Sequence, residues 1–223
     1  MSFLATQRIQ HVALEVPRYG GAWARVGTEL GPVAPGPATL KVGDVELLGT
    51  VISGQSGDNG PSSWVGIWRS GTAWDTVLPA RPAYQTDAGV KLLTVLNHLA
   101  NDCGAAIVAP TNSSIGNFWI RASRDASGFP RTGRDELNAM IKGRLLSQWW
   151  IDPAGVTRFN ERHGVPVTAA ARVTKRDMTR GSRDIGTESP LAFMPGNIFE
   201  GATIERVIIR ESSAKISVQT WSS

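Results

Sequence analysis

The sequence predicts a mainly β protein of the α+β class, with two small antiparallel barrel-like modules and two short helices. Three observations carry this. Apolar and polar residues alternate with a period of two in several short runs. Those runs are punctuated by an abundance of turn formers, 24 Gly and 13 Pro in 223 residues. Only two segments carry apolar residues at the three-and-four spacing of a helix face. A hydrophobic content of 41% supports a folded core at this length.

Taken in order, residues 8–16 alternate as a first strand that ends at Pro17. Gly20 to Val26 reads as a second strand. Pro32, Pro35, Gly36 and Pro37 then break the chain before two apolar runs, Ala38–Val42 and Val45–Ile52, joined by Gly43-Asp44. Two β-runs separated by two such residues predict a hairpin. Residues 53–63, rich in Gly, Ser and Asn, predict a mobile surface loop. In the next strand Trp64, Gly66 and Trp68 share one side and Val65 and Ile67 the other, with Trp74 soon after.

The first helix is predicted from Ala88 to Cys103, capped by Asp87, with Leu92, Leu96, Leu99 and Cys103 on one stripe and Gly104 as its stop. Gly104 to Val108 returns as a strand. Asn117–Arg121 is a short strand and Ala126–Pro130 a loop. The second helix follows Gly133, with Thr132 or Asp135 as cap and Leu137, Met140, Ile141, Leu145 and Leu146 on its apolar face. It feeds a hairpin in which Trp149-Trp150-Ile151 and Val156–Phe159 flank the turn Asp152-Pro153-Ala154-Gly155. Ile204–Arg210 and Lys215–Trp221 close the chain as strands. The resulting organisation is an N-terminal β module over 1–86, a helix-hairpin region over 87–165, and a basic loop with barrel-completing strands over 166–223.

Chemistry is sparse. Phosphate-binding loops, nucleophile elbows and paired cysteines are missing from the sequence. His11, His98 and His163 are scattered, and Glu161 with His163 would share one face of a strand without a third ligand. Cys103 lies on the apolar helix stripe, where a small buried hydrophobe is the commoner reading than a nucleophile. No catalytic residue, metal or cofactor is expected. The formal charge of +4 is mildly basic, and five cations, Arg172, Lys175, Arg176, Arg180 and Arg183, fall within a few residues of Asp177 and Asp184. That loop reads as a solvated face, an interface to an acidic neighbour, or a channel wall that attracts phosphate without reading sequence. Eight tryptophans are mostly core or interface aromatics. Because neighbours on a strand point opposite ways, one of Trp149 and Trp150 fills a core and the other needs a second layer or a partner subunit. The chain has neither a charged-then-apolar leader nor a long apolar run, so synthesis in a cytoplasm without a membrane anchor is expected.

Three stretches carry a resemblance to a known family. The helix ending in Trp149-Trp150, then Asp152, a polar turn, Gly155 and an apolar strand, resembles the hub proteins of phage tails and related injection machines. These include the central baseplate hub of contractile-tailed phages, the late-control hub of temperate phages, and the valine-glycine-repeat spike protein of type VI secretion. The helix ending at Gly104 looks like the one that packs against a barrel in those proteins. Pro195-Gly196-Asn197, followed by Ile204–Arg210, is similar to their Pro-Gly-Asp motif, with Asn197 where Asp is common. Together these cover roughly the C-terminal two-thirds of the chain.

The resemblance implies a structural virion protein at the tail tip or baseplate. Copies, three in the hub families, would close into a ring that joins the tail tube to distal fibre or spike proteins and lines the DNA exit channel. Expected partners are other copies of the chain and the distal tail, tape-measure and fibre or spike proteins, with transient contact to phage DNA. Arg172, Lys175, Arg176, Arg180, Arg183, Trp149 and Trp150 are the candidate interface or channel-lining residues. The alternative is a single-stranded nucleic-acid- or carbohydrate-binding barrel that uses tryptophan rings as platforms.

Overall fold

A computed structural model describes residues 2–28, 31–56, 64–81, 83–212 and 215–222. The chain forms two compact units, Met1–Ser70 with Arg162–Ser223, and Gly71–Glu161. The fold is mainly β, with two α-helices among the described residues.

The first six strands of the larger unit are β1 (Phe3–Leu4), β2 (Gln7–Pro17), β3 (Trp23–Thr28), β4 (Gly36–Val42), β5 (Val45–Ser56) and β6 (Trp64–Arg69). They close into an antiparallel barrel in the order β1-β4-β5-β6-β3-β2, with β1 pairing back onto β2. Alternation sends Val12, Leu14 and Val16 of β2, Ala24 and Val26 of β3 and Leu40 and Val42 of β4 inward. Gly43 adopts φ 63° in the two-residue turn between β4 and β5, a conformation that costs a glycine little. Gly54 and Gly66 oppose each other on β5 and β6, and a Cβ on either would strike the Trp64 indole lying against them. Trp68 is fully buried and donates its indole N–H to the Ala38 carbonyl at 2.9 Å. Residues 53–56 extend β5 where a loop was expected; the rest of that expected loop, 57–63, lies outside the described residues.

The smaller unit holds a 3-10 turn (Thr72–Asp75), β7 (Tyr84–Gln85), α1 (Leu92–Cys103), β8 (Phe118–Trp119), α2 (Gly133–Lys142), β9 (Trp150–Ile151) and β10 (Thr157–Arg158). Its core joins Leu92, Leu96, Leu99 and Cys103 of α1 to Leu137 and Met140 of α2, with Trp74 and Trp149. Burying each such large side chain contributes about 1.5–3 kcal/mol. Gly104, at φ 66°, ends α1 as the sequence predicts. Asp87 does not cap it. Gly89 takes φ 85°, and the amides of Val90 and Leu92 donate to the carbonyls of Gly116 and Ser113, so residues before Leu92 serve a ladder and not a helix. Thr132 is the cap of α2, with Asp135 returning the bond in a capping box. The helix stops at Lys142, earlier than its apolar spacing suggested, and Arg144 at φ 58° turns the chain so that Leu146 still reaches the core. The β9–β10 hairpin pairs Ile151 with Thr157, and Asp152 accepts the Val156 amide at 2.9 Å. The return after Gly104 makes a single parallel bridge, Ile107 to Thr157, in place of a strand.

The chain then completes the larger unit with β11 (Arg172–Asp177), β12 (Ser182–Gly186), β13 (Ile198–Phe199), β14 (Ala202–Ser212) and β15 (Lys215–Ser222). One barrel closes, and these strands extend from it as an open sheet in the order β2-β14-β15-β12-β11, with β13 on β14. The stretch expected as a basic loop is thus the β11–β12 hairpin, because Val173 and Ile185 supply an apolar row across it. The Pro-Gly-Asn motif has a specific task. Gly196 sits at φ 95°, where a Cβ would meet the Arg162 carbonyl at 2.6 Å. Asn197 donates its Nδ2 to the Ala192 carbonyl at 3.0 Å and accepts the Val165 amide on Oδ1 at 3.2 Å. It needs one donor and one acceptor, which a carboxylate cannot supply. Asn197→Asp is therefore expected to lower stability by about 1–3 kcal/mol at neutral pH. The loss should shrink in acid as the carboxyl regains a donor, which urea unfolding at pH 7 and pH 4 would detect.

Candidate assembly surface

The β11–β12 hairpin sorts its cations by strand register. Arg176 faces Arg183 across the hairpin, and this row continues through Thr220 of β15, Val207 of β14 and Val16 of β2. The last three are buried, so Arg176 and Arg183 stand at the margin of the inner face. There Glu200 accepts both, at 2.5 Å from Arg176 and 2.9 Å from Arg183, while Arg183 also reaches the Ser222 hydroxyl at 2.7 Å. Glu200 occupies a left-handed position, φ 50°, in the turn between β13 and β14. Its distance along the chain hid it from a reading of local charge. Arg180, at the hairpin tip, lies 3.9 Å from Asp177. Among the described residues Arg172 and Lys175 have no ion-pair partner.

The opposite rows face outward and build a polar cleft of about 250 Å³. Lys175, Arg180 and Arg206 line it beside Asp177 and Asp184, and Arg206 stacks over the Trp221 ring at 4.0 Å. Acid and base are mixed here, unlike the uniform positive wall that a phosphate backbone favours. On the barrel, Trp23, Leu48, Ile52 and Ile67 are exposed and form the apolar surface of β3, β6 and β5. The barrel interior is filled with side chains.

The tryptophan pair belongs to the smaller unit, apart from the basic hairpin in the chain's division. Trp149 is a core residue, with its N–H 3.4 Å from Asn138 and the Arg134 guanidinium 5.3 Å over its ring. Trp150 is half-buried and donates to Asn160 at 3.3 Å. Of the eight tryptophans, Trp23 alone is well exposed, at 43%, which leaves few free ring faces for bases or sugars. Glu161 and His163 lie in irregular chain and not on a strand. Burial pushes the Cys103 thiol up to about 11, as befits a core residue. Among the described residues no group of three or more His, Cys, Asp or Glu side chains could hold a metal ion, and no helix is long and apolar enough to cross a membrane.

A charged cluster inside the smaller unit went unseen in the sequence. The Arg121 side chain is fully buried and lies 2.5 Å from Asp102, which also binds Arg81. The hydrogen bond from Arg81, assisted by Arg121 and opposed by burial, holds the Asp102 carboxyl down at about 2. Nearby, burial raises the Glu136 carboxyl, with Arg131 at 3.3 Å pulling the other way. Arg81, Asp102 and Arg121 are 19 or more positions apart, so no local motif announces their meeting.

No family model and no curated protein sequence matches the chain. Solved structures do. A tail protein from Neisseria meningitidis superposes with a TM-score of 0.66 at 11% identity, covering 98% of this chain and 94% of that one. A 43 kDa tail protein of prophage MuSo2 from Shewanella oneidensis gives 0.64 at 10% identity, over 100% and 96%. A component of the Escherichia coli type VI secretion system, described as similar in structure to bacteriophage T4 tail proteins, gives 0.61 at 9% identity, over 100% and 75%. What the chain shares with these proteins is the fold.

The Asp102 cluster predicts a pH dependence. A carboxyl held below its usual value of about 4 contributes stability that is full above that pH and lost as pH falls toward about 2. Asp102→Asn should remove this acid-sensitive part and cost about 3–5 kcal/mol at neutral pH, since Arg121 stays buried without its counter-charge. Urea midpoints between pH 6 and pH 2 for both proteins would check it.

Proposed function

We propose that this chain is a structural subunit of a phage-type tail tip, a hub that assembles with its own copies into a ring between the tail tube and distal fibre or spike proteins. The observation that carries this reading is the likeness in fold, over nearly the whole chain, to proteins described as tail proteins. The Pro-Gly-Asn bend, the barrel helix and the helix-hairpin support it from the sequence side. The mechanism is assembly, without a reaction. Three copies would enclose a lumen, and DNA leaving the particle would pass through it. The exposed apolar side chains of β3, β5 and β6 supply area for burial between subunits. Arg172 and Lys175, which lack internal ion-pair partners among the described residues, are the hairpin cations best suited to a neighbour's carboxylates or to passing phosphate.

Light scattering on the purified protein, alone and with distal tail, tape-measure and fibre or spike proteins, tests the reading. A trimer, or a monomer that becomes a ring on adding those proteins, is the expected result; a mass indifferent to every tail protein would sink it. Reversing Arg172 and Lys175 together to Glu should leave the thermal midpoint within a few degrees of the parent, since both are exposed and make no ion pair among the described residues. Ring yield or infectivity should fall, and wild-type values for both would remove the hairpin from the assembly.

A further inference from the structure

Three side chains of the smaller unit keep polar atoms indoors without a protein partner. The Arg121 side chain has no solvent exposure, and its Nη2 lies 2.5 Å from the Asp102 carboxylate and 3.4 Å from the Pro79 carbonyl. Its Nε and Nη1 make no hydrogen bond among the described residues. The Glu136 side chain, in the first turn of α2, is 1% exposed; Oε2 lies 3.3 Å from Arg131, while Oε1 accepts no hydrogen bond from the described residues. The indole N–H of Trp119 is likewise enclosed and unbonded. Such atoms are concentrated here, since the other two among the described residues, Arg18 Nε and Thr220 Oγ1, stand singly in the larger unit. A buried donor or acceptor left without a partner costs its full desolvation penalty, and a charged one costs more.

The three side chains act on one another. Burial raises the Glu136 carboxyl, and Arg131, Trp119 and Arg121 pull against it. The Trp119 N–H thus approaches the carboxylate without closing a hydrogen bond to it. A polar contact that falls short in this way calls for a bridge. Chemistry limits what the bridge can be. Indole and guanidinium N–H groups only donate, and a carboxylate only accepts; a proton on Oε1 would merely face more donors. Direct contact is opposed by anchors at both ends, because Arg121 would give up Asp102 and Glu136 would give up Arg131. The Glu136 charge repels an anion and the arginines repel a cation. Water accepts and donates together, and an internal water typically makes about three hydrogen bonds to groups of this kind.

We propose that one internal water molecule bridges these groups, accepting from the Trp119 indole and the Arg121 guanidinium and donating to Glu136 Oε1. It links the β8 segment to the first turn of α2. The inference stands on burial and on the match of donors to acceptors, independently of any role in a tail.

Cross-relaxation between water and the 15N-labelled tryptophan indoles of the full chain tests it. The expected result is a peak between water and the Trp119 indole proton, with the sign of a molecule that tumbles with the protein. Trp68, whose N–H is held by the Ala38 carbonyl, should show none. Trp119→Phe assigns the peak by removing it. Glu136→Gln retains an acceptor and has no carboxyl proton to exchange, so the peak should survive that change. A crystal structure that resolves ordered water should place one molecule about 2.7–3.2 Å from Trp119 Nε1, Glu136 Oε1 and an Arg121 nitrogen. Absence of the peak overturns the proposal, as does its loss in a Glu136→Gln variant with the parent's circular dichroism spectrum. A direct bond from Trp119 or Arg121 to Glu136 in the crystal overturns it equally.

Discussion

The larger unit depends on how β2 divides its second edge. One edge of β2 is given wholly to β3. On the other, its first residues pair with β1, which closes the barrel, and residues from His11 to Pro17 pair with β14, which opens the sheet. A strand of 11 residues is long enough to do both. Since Val12, Leu14 and Val16 point inward along its length, one continuous core serves barrel and sheet together, with Val207, Ile209 and Val218 buried alongside Leu40 and Val42. Closure also removes free edges from the barrel, so the unpaired edge of the larger sheet falls to β11, where positive charge and a bulge protect it.

Charge in this protein is organised by pairing more than by accumulation. The basic hairpin has a strong local excess in sequence, yet its cations are distributed over two faces. Glu200 holds two of them, and the outer cleft sets Asp177 and Asp184 among the rest. The surface left for a partner is therefore narrower than composition implies. In the smaller unit the reverse occurs: a group of ions lies indoors, and Arg121 exchanges hydration for its pairing with Asp102. Two carboxylates in that unit are pushed in opposite directions, Asp102 down by guanidinium bonds and Glu136 up by burial, so acid acts on them with opposite sign.

Several elements were legible because their causes are local. The stripe of Leu92, Leu96 and Leu99 with Gly104 after it, the Thr132 cap, the Gly43-Asp44 hairpin and the alternation in β2, β6 and β14 all follow from spacing and backbone preference. Misreadings came where a distant partner competed. Asp87 has the chemistry of a cap, but residues 113–116 claim the backbone that the first helical turn would need. The run from Arg172 to Arg183 looks like a charged loop until Val173 and Ile185 are seen to continue a buried row begun on other strands.

By itself, then, the sequence determined the mainly β class, the two helices, the turns and the core stripes, since each is set by residues within a few positions of one another. It also carried a resemblance to tail hubs through the helix-hairpin, the barrel helix and the Pro195-Gly196-Asn197 bend. Only the tertiary structure decided that one barrel closes while the later strands stay open, that Glu200 pairs with two of the hairpin's arginines, that Trp149 is core, and that Phe118 and Ile120 face outward. Those outcomes depend on sheet register and on contacts between residues far apart in sequence, and a period of two cannot say which of its two faces a distant partner will cover.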